Sequence, residues 1–317
     1  MRRLASVAIL SCTLALSTTI ADDDVPGDWL QRMALAVQTT NYDGTVIRIQ
    51  NGNSEALKVV HTISDGVIRE KVIVQEGNGM EIIRNGNEVH CILPDRKSVL
   101  VEEWDNQSTL FSTLPSSDIR FGSEYDVSIV RQERVAGRKA IMLAIRPHDD
   151  FRYGHRLWLD HETGFPLQTK LMDGSGTAIE QVKFADIRLG QEIQAEQLKP
   201  SIDIGNFRWF SQNKTVNRVE AESDWMSDGL PPGFRITRSH AEVKHGEAQK
   251  VIHMMISDGL ANVSVFIEPG GKDRDLRSAN AGAANSYSLM HGEYRVTAVG
   301  EVPVATAEHI ARSMQPK

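Results

Sequence analysis

Ten histidines are the side chains of this 317-residue sequence best suited to bind a metal or move a proton near neutral pH. None belongs to a His-Glu-x-x-His pair, and the closest two, His240 and His245, have the wrong spacing for one helical face. His-Gly-Glu occurs at 245–247 and again at 291–293, each time with the character of an exposed turn. Gly174-Ser175-Gly176-Thr177 has the composition of a phosphate-cradling loop. It lacks the lysine and the strand-to-helix setting that such a loop requires, so it reads as a hairpin turn. No Gly-x-Ser-x-Gly elbow singles out an activated serine. These residues point to binding rather than catalysis, with no metal or cofactor.

Cys91 alternates with Val89 and Leu93 along a strand-like run, the pattern of a buried structural thiol. A redox sensor would need an exposed, electropositive setting. Trp158 and Phe165 are the aromatic residues expected to line an apolar cavity. Core packing is the competing role for Trp158, and the concave face of its sheet decides between them.

A mostly β framework must position these groups. One helix opens the ordered chain: Asp28 can cap it with Gln31 three residues on, and Trp29, Leu30, Met33, Ala34 and Val37 share a face. Beyond Asn41, turn signals recur at Asn51-Gly52, Asp65-Gly66, Gly77-Asn78-Gly79 and Asn85-Gly86, with short β-branched runs between them. That spacing predicts an antiparallel meander, whose Asn and Gly supply the positive φ of tight hairpins. After a short helix or loop over 106–115, strands resume at Tyr125–Val130, Lys139–Arg146, Tyr153–Asp160, Phe165–Met172 and Ala178–Leu189. The sheet should curl over the early helix and bury its Trp29 and Met33 side.

Periodicity fades from about Glu192 to Asn217, which reads as the connection to a second unit. In that unit, strands are expected at Phe234–Ser239, Gln249–Ser257, Leu260–Ile267 and Tyr294–Gly300, with a mobile loop over Asp273–Asn285. A closing helix begins near Pro303 and shows Ala307, Ile310, Ala311 and Met314 on one face. The division is 1–21, 22–198, a linker over 199–217, and 218–317. The fold class is β-rich α+β: a large unclosed barrel over helices, then a smaller α+β domain.

Arg2 and Arg3, an apolar run to about Leu16 and Thr19-Ile20-Ala21 have the order of a secretory signal, with cleavage expected after Ala21. Ile9-Leu10-Ser11-Cys12 is a looser lipoprotein-type pattern, with Leu10 a poor fit. The formal charge is −7, and it becomes two units more negative when Arg2 and Arg3 leave. Such a chain is unsuited to general nucleic-acid binding, which depends on neutralising phosphates. Cys12 leaves as well, so Cys91 has no disulfide partner and the core must supply the stability.

Three stretches together carry a resemblance. They are Trp158 to Phe184, with its Asp160-His161-Glu162-Thr163-Gly164 and Asp173-Gly174-Ser175-Gly176 turns; Ser257-Asp258-Gly259-Leu260 with Val263-Ser264-Val265; and Val299-Gly300-Glu301-Val302-Pro303 with the closing helix. In this order, and with Leu230-Pro231-Pro232-Gly233-Phe234 opening the second unit, they resemble the RseB/MucB family of periplasmic stress-response regulators. The resemblance implies a large domain similar to the lipoprotein carriers LolA and LolB, sensing lipid, lipopolysaccharide or lipoprotein acyl chains. It also implies a small domain that contacts a membrane-spanning anti-sigma factor of the RseA/MucA type and shields it from proteolysis. Phe234, Ile236, Val265 and Arg277 are the expected anchors for that partner, with core packing the competing role for the first three and a solvated loop charge that for Arg277; self-association stays open. A periplasmic lipid or lipoprotein carrier is the alternative, although a carrier has little need of the second unit.

Overall fold

The computed structural model describes residues 25–104, 110–111, 114, 123–211, 217–219, 224–243, 250–270 and 277–317. The signal segment, His245 and Asp273 lie outside them. Helix α1 (Pro26–Thr39) is followed by β1 (Tyr42–Gln50), β2 (Asn53–Ser64), β3 (Val67–Val74), β4 (Glu81–Asn85), β5 (Glu88–Leu93) and β6 (Ser98–Glu103). Next come β7 (Tyr125–Val135), β8 (Arg138–Pro147), β9 (Gly154–Asp160), β10 (Pro166–Met172), β11 (Ala178–Leu189) and β12 (Arg208–Ser211). The second unit holds β13 (Asn217–Val219), β14 (Trp225–Ser227), β15 (Arg235–Val243), β16 (Lys250–Ser257) and β17 (Asn262–Pro269). It ends with β18 (Arg277–Ala281), β19 (Ala284–His291), β20 (Tyr294–Gly300), α2 (Val304–Ser313) and β21 (Met314–Pro316).

The first twelve strands form one sheet in the order β12-β6-β5-β4-β3-β2-β1-β11-β10-β9-β8-β7. Among the described residues, β7 and β12 end it without pairing to each other, so the barrel is unclosed. Asn51-Gly52 and Asp65-Gly66 take positive φ at both residues, as the tight hairpin turns require. The cap of α1 differs from the expectation. Val25 is the N-cap and Pro26 occupies the first turn, which moves Asp28 inside the helix. There the carboxylate favours the positive helix end rather than capping it.

Trp29, Leu30 and Met33 pack against Ile141, Leu143, Leu157 and Leu159, so the sheet does wrap over α1. Each such buried side chain contributes about 1.5–3 kcal/mol. Side chains alternate between faces along a strand, which makes the side carrying α1 the inner face. The stretch expected to be a linker is more than a connection. Lys71 Nζ donates to the Lys199 carbonyl at 2.6 Å, and the Ser201 amide donates to Glu81 Oε2 at 2.9 Å. It thus straps the outer face before Arg208–Ser211 joins β6 as a parallel edge strand. Four residues of mixed polarity carry too short a pattern to be read as a strand.

The second sheet runs β13-β15-β16-β17-β20-β19-β18, with β14 paired to β21 beside it. Its core joins Met254, Ile256, Val263, Val265 and Val296 to Ala307, Ile310 and Met314, the face predicted for α2. The Asp273–Asn285 loop is corrected in part: Arg277–Ala281 pairs in register with Ala284–Ser288 as a hairpin at the sheet edge. Its Ser, Ala and Asn side chains give no apolar alternation to recognise.

A half-open concavity and the joint between two units

Register fixes what the inner face offers. One cross-strand row runs Ile187–Gly44–Val59–Val72–Ile82–Cys91–Leu100–Phe210. Val59 and Val72 are buried, Ile82, Cys91 and Leu100 are half-buried, and Phe210 is 49% exposed. The row is therefore packed near α1 and opens toward the β12 edge. A Cβ on Gly44 would lie 2.4 Å from the Asp186 carbonyl, so only glycine lets β11 close on β1 there. Cys91 is less enclosed than expected. Burial, with Glu102 beside it, still pushes its thiol up, away from the reactive thiolate.

The adjacent row is polar and buried: Tyr42–His61–Glu70–Arg84. His61 Nδ1 and Glu70 Oε2 are 2.8 Å apart, and Tyr42 stacks on the His61 ring at 4.7 Å. Burial lowers the Arg84 guanidinium, while Glu70 opposes the shift. The concavity thus opens an apolar track suited to an acyl chain, beside a polar row sealed from solvent.

The two expected cavity aromatics do not lie along that track. Phe165 has no exposed surface and packs among Tyr42, Phe111 and Phe184. Trp158 belongs to the same apolar cluster but alternates with Leu157 and Leu159, so its ring leaves toward the outer face. There Lys170 Nζ sits 5.7 Å from the ring centroid. Ile82, Leu100 and Phe210, missed in the sequence, form the open wall. Only pairing across four strands reveals that they share a row.

The expected partner anchors are also dispersed. Val265 is fully enclosed in the small core, and Phe234 is 7% exposed. Ile236 is 38% exposed on β15, and Arg277 begins β18, its side chain outside the described residues. Among the described residues, β13 pairs only with Ala241–Val243, which leaves Arg235–Ser239 as a stretch of sheet edge without a ladder partner. His240 meets His253 edge-on at 4.9 Å, and His253 stacks on Phe266. That pair is aromatic packing, and no three His, Cys, Asp or Glu side chains converge as metal ligands among the described residues.

The joint between the units centres on Arg152, a residue the sequence reading passed over. Its side chain is 0% exposed. Nη1 donates to Asp258 Oδ2 at 2.7 Å, Nη2 to the Pro232 carbonyl at 2.6 Å, and Nε to Asp149 Oδ1 at 3.0 Å. The guanidinium also lies over the rings of Phe234 and Tyr125. Tyr125 Oη donates to Asp258 at 2.8 Å, and burial with that carboxylate raises its phenol strongly. Thr306 Oγ1 donates to the Phe151 carbonyl, and Asn285 Nδ2 to Tyr153 Oη. Residues 151–153 therefore project from the large unit into the small one. They meet the two motifs, Ser257–Leu260 and Leu230–Phe234, that stood out in the sequence.

A half-open sheet with an apolar track, locked to a second β unit, defines a two-unit binding protein. Residues 25–202 match the model of the MucB/RseB N-terminal domain, and residues 219–315 match that of the MucB/RseB C-terminal domain. The chain belongs to the MucB/RseB family. It is 31% identical to the Sigma factor AlgU regulatory protein MucB of Pseudomonas aeruginosa, over 100% of this chain and 98% of that protein. It is 24% identical to the Sigma-E factor regulatory protein RseB of Escherichia coli, over 98% and 96%. A crystal structure of MucB in complex with MucA(peri) superposes with a TM-score of 0.70 at 30% identity, covering 92% of this chain and 99% of that one.

Proposed function

We propose that this protein is a periplasmic negative regulator that binds the periplasmic segment of a transmembrane anti-sigma factor and shields it from regulated proteolysis. The observation that carries this reading is likeness over both units, not the large one alone, to regulators of which one is solved bound to MucA(peri). That full-length match disfavours a simple lipid carrier. Signal cleavage after Ala21 would deliver the chain to the compartment where such a segment is exposed. The open edge at Arg235–Ser239 accepts an extended peptide by strand addition, with Ile236 as an apolar anchor. Phe234 and Val265 belong to the core of the same unit.

The test mixes the purified anti-sigma periplasmic segment, its protease and this protein. The intact protein is expected to slow cleavage, and Ile236→Asp to weaken binding by about tenfold or more, as loss of a buried anchor does. Equal protection by a chain lacking residues 218–317 would move the partner site to the large unit. No protection by the intact protein would remove the regulator reading.

Release is proposed to follow when an acyl-chain amphiphile from lipid, lipopolysaccharide or lipoprotein enters the concavity. Its chain lies along Ile82, Leu100 and Phe210, with its polar end at the open β12 edge. Leu100→Asp is expected to weaken binding of a fluorescent fatty acid by about tenfold, since an apolar side chain of this size contributes about 1.5–3 kcal/mol when covered. Unchanged affinity in a folded Leu100→Asp protein would exclude this wall as the site.

A further inference from the structure

We propose that the β12 edge of the large sheet is a docking surface for a bilayer containing anionic phospholipid. Trp209 and Phe210 are 50% and 49% exposed, adjacent in sequence, and directed to opposite faces of the last strand. Trp209 continues the outer-face row Glu81–Ile92–Val99, whereas Phe210 ends the inner-face row. The strand is therefore an aromatic wedge, and the concavity can enclose only one of its two rings. A ligand held inside the sheet leaves Trp209 half in water, its ring edge-on to His90 at 5.2 Å.

Charge selects the occupant. The protein as a whole is acidic, yet this corner gathers cations. The Arg208 amide donates to the Lys97 carbonyl at 2.9 Å, and Arg96 beside it has a side chain 74% exposed. The Arg208 guanidinium lies 5.9 Å from the Phe210 ring centroid. Asp95 sits 4.0 Å from Arg96, while Glu102, at the far end of β6, accepts from Trp104 Nε1. Exposed Trp and Phe flanked by Arg and Lys match the interfacial zone of a membrane, where amphipathic rings settle among headgroups and cations meet phosphates. A four-residue strand offers a peptide only a short ladder, so strand addition is the weaker occupant. Docked edge-on, the protein would hold the open end of its concavity, at Leu100 and Phe210, against the surface from which acyl chains come.

The experiment is co-sedimentation of the full mature chain with vesicles of phosphatidylethanolamine and phosphatidylglycerol, and with vesicles of phosphatidylcholine alone. Binding is expected to the anionic vesicles and to fall with salt. Trp209→Ser with Phe210→Ser should abolish it, and Arg96→Glu with Arg208→Glu should lower it by about fivefold or more per cation removed. Saturating the inner track with a soluble short-chain fatty acid should leave it unchanged, separating surface docking from capture of single lipids. Failure of the parent chain to sediment, or equal sedimentation of the double serine variant, would overturn the proposal. So would a double serine variant that loses affinity for the anti-sigma segment while keeping vesicle binding, which would assign the edge to a protein partner.

Discussion

Arg152→Met is expected to destabilise the protein by about 3–5 kcal/mol, the cost of leaving a buried carboxylate without its cation. Asp258 has a side chain 1% exposed, and its Oδ2 receives both Arg152 and Tyr125. Removing the guanidinium strands that charge, frees the Pro232 carbonyl and lifts the flat cation from the Phe234 ring. Asp258→Asn should cost less, because a neutral amide oxygen at the same place still accepts the Leu260 and Ala261 amides. Urea titration followed by tryptophan fluorescence measures both. The Arg152 variant should also split one transition into two as the units uncouple. A loss below about 1 kcal/mol, the size of an ordinary surface pair, would show that apolar packing at Leu260 and Phe151 holds the joint unaided.

The second large effect is a pH dependence placed at the same joint. Glu301 follows β20 in the small unit, and burial pushes its carboxyl up to about 7, with Glu180 of β11 adding to the rise. Glu180 is itself raised by burial, although Arg48 of β1 opposes this, and the Tyr153 phenol also senses Glu301. Close approach is built into this region. A Cβ on Gly282 would lie 1.9 Å from Gln50 Nε2, and Gly282 has a positive φ of 64°. A carboxyl whose folded value lies above its unfolded value favours the fold when protonated. Its contribution is full below the unfolded value, near 4.5, and is lost as pH rises through about 7. Stability should therefore decline between about pH 5 and pH 8, by about 1–2 kcal/mol once solvent screening is allowed for. Glu301→Gln should flatten that decline and raise the melting temperature at pH 8. An unchanged slope in the glutamine variant would assign the dependence to other groups.

Much of the local structure was legible. Ala178–Leu189 and Tyr294–Gly300 are the strands their alternation predicts, and Trp29 and Met33 face the sheet as their helical spacing requires. These features depend on side-chain period and turn chemistry, both properties of a few consecutive residues. The order of short motifs was equally local, which is why the family could be recognised before any coordinate. Errors arose where a pattern was too short or too polar to carry a signal, as at Arg208–Ser211 and Arg277–Ala281.

The tertiary structure alone decided which residues meet. Phe165 and Leu100 are both apolar strand-region residues, yet one is sealed among three aromatic rings and the other stands in an open wall. Their difference lies in strand pairing and in the reach of α1, neither of which acts within a sequence window. The meeting of Arg152 and Asp258 is still further from prediction: they are 106 residues apart, and only Asp258 lies in a motif that stood out. Each charge is tolerable in the interior only because the other is there. Sequence determines the period, the turns and the residues available for burial. Only the closed chain determines which buried charge finds its partner and which apolar row stays open.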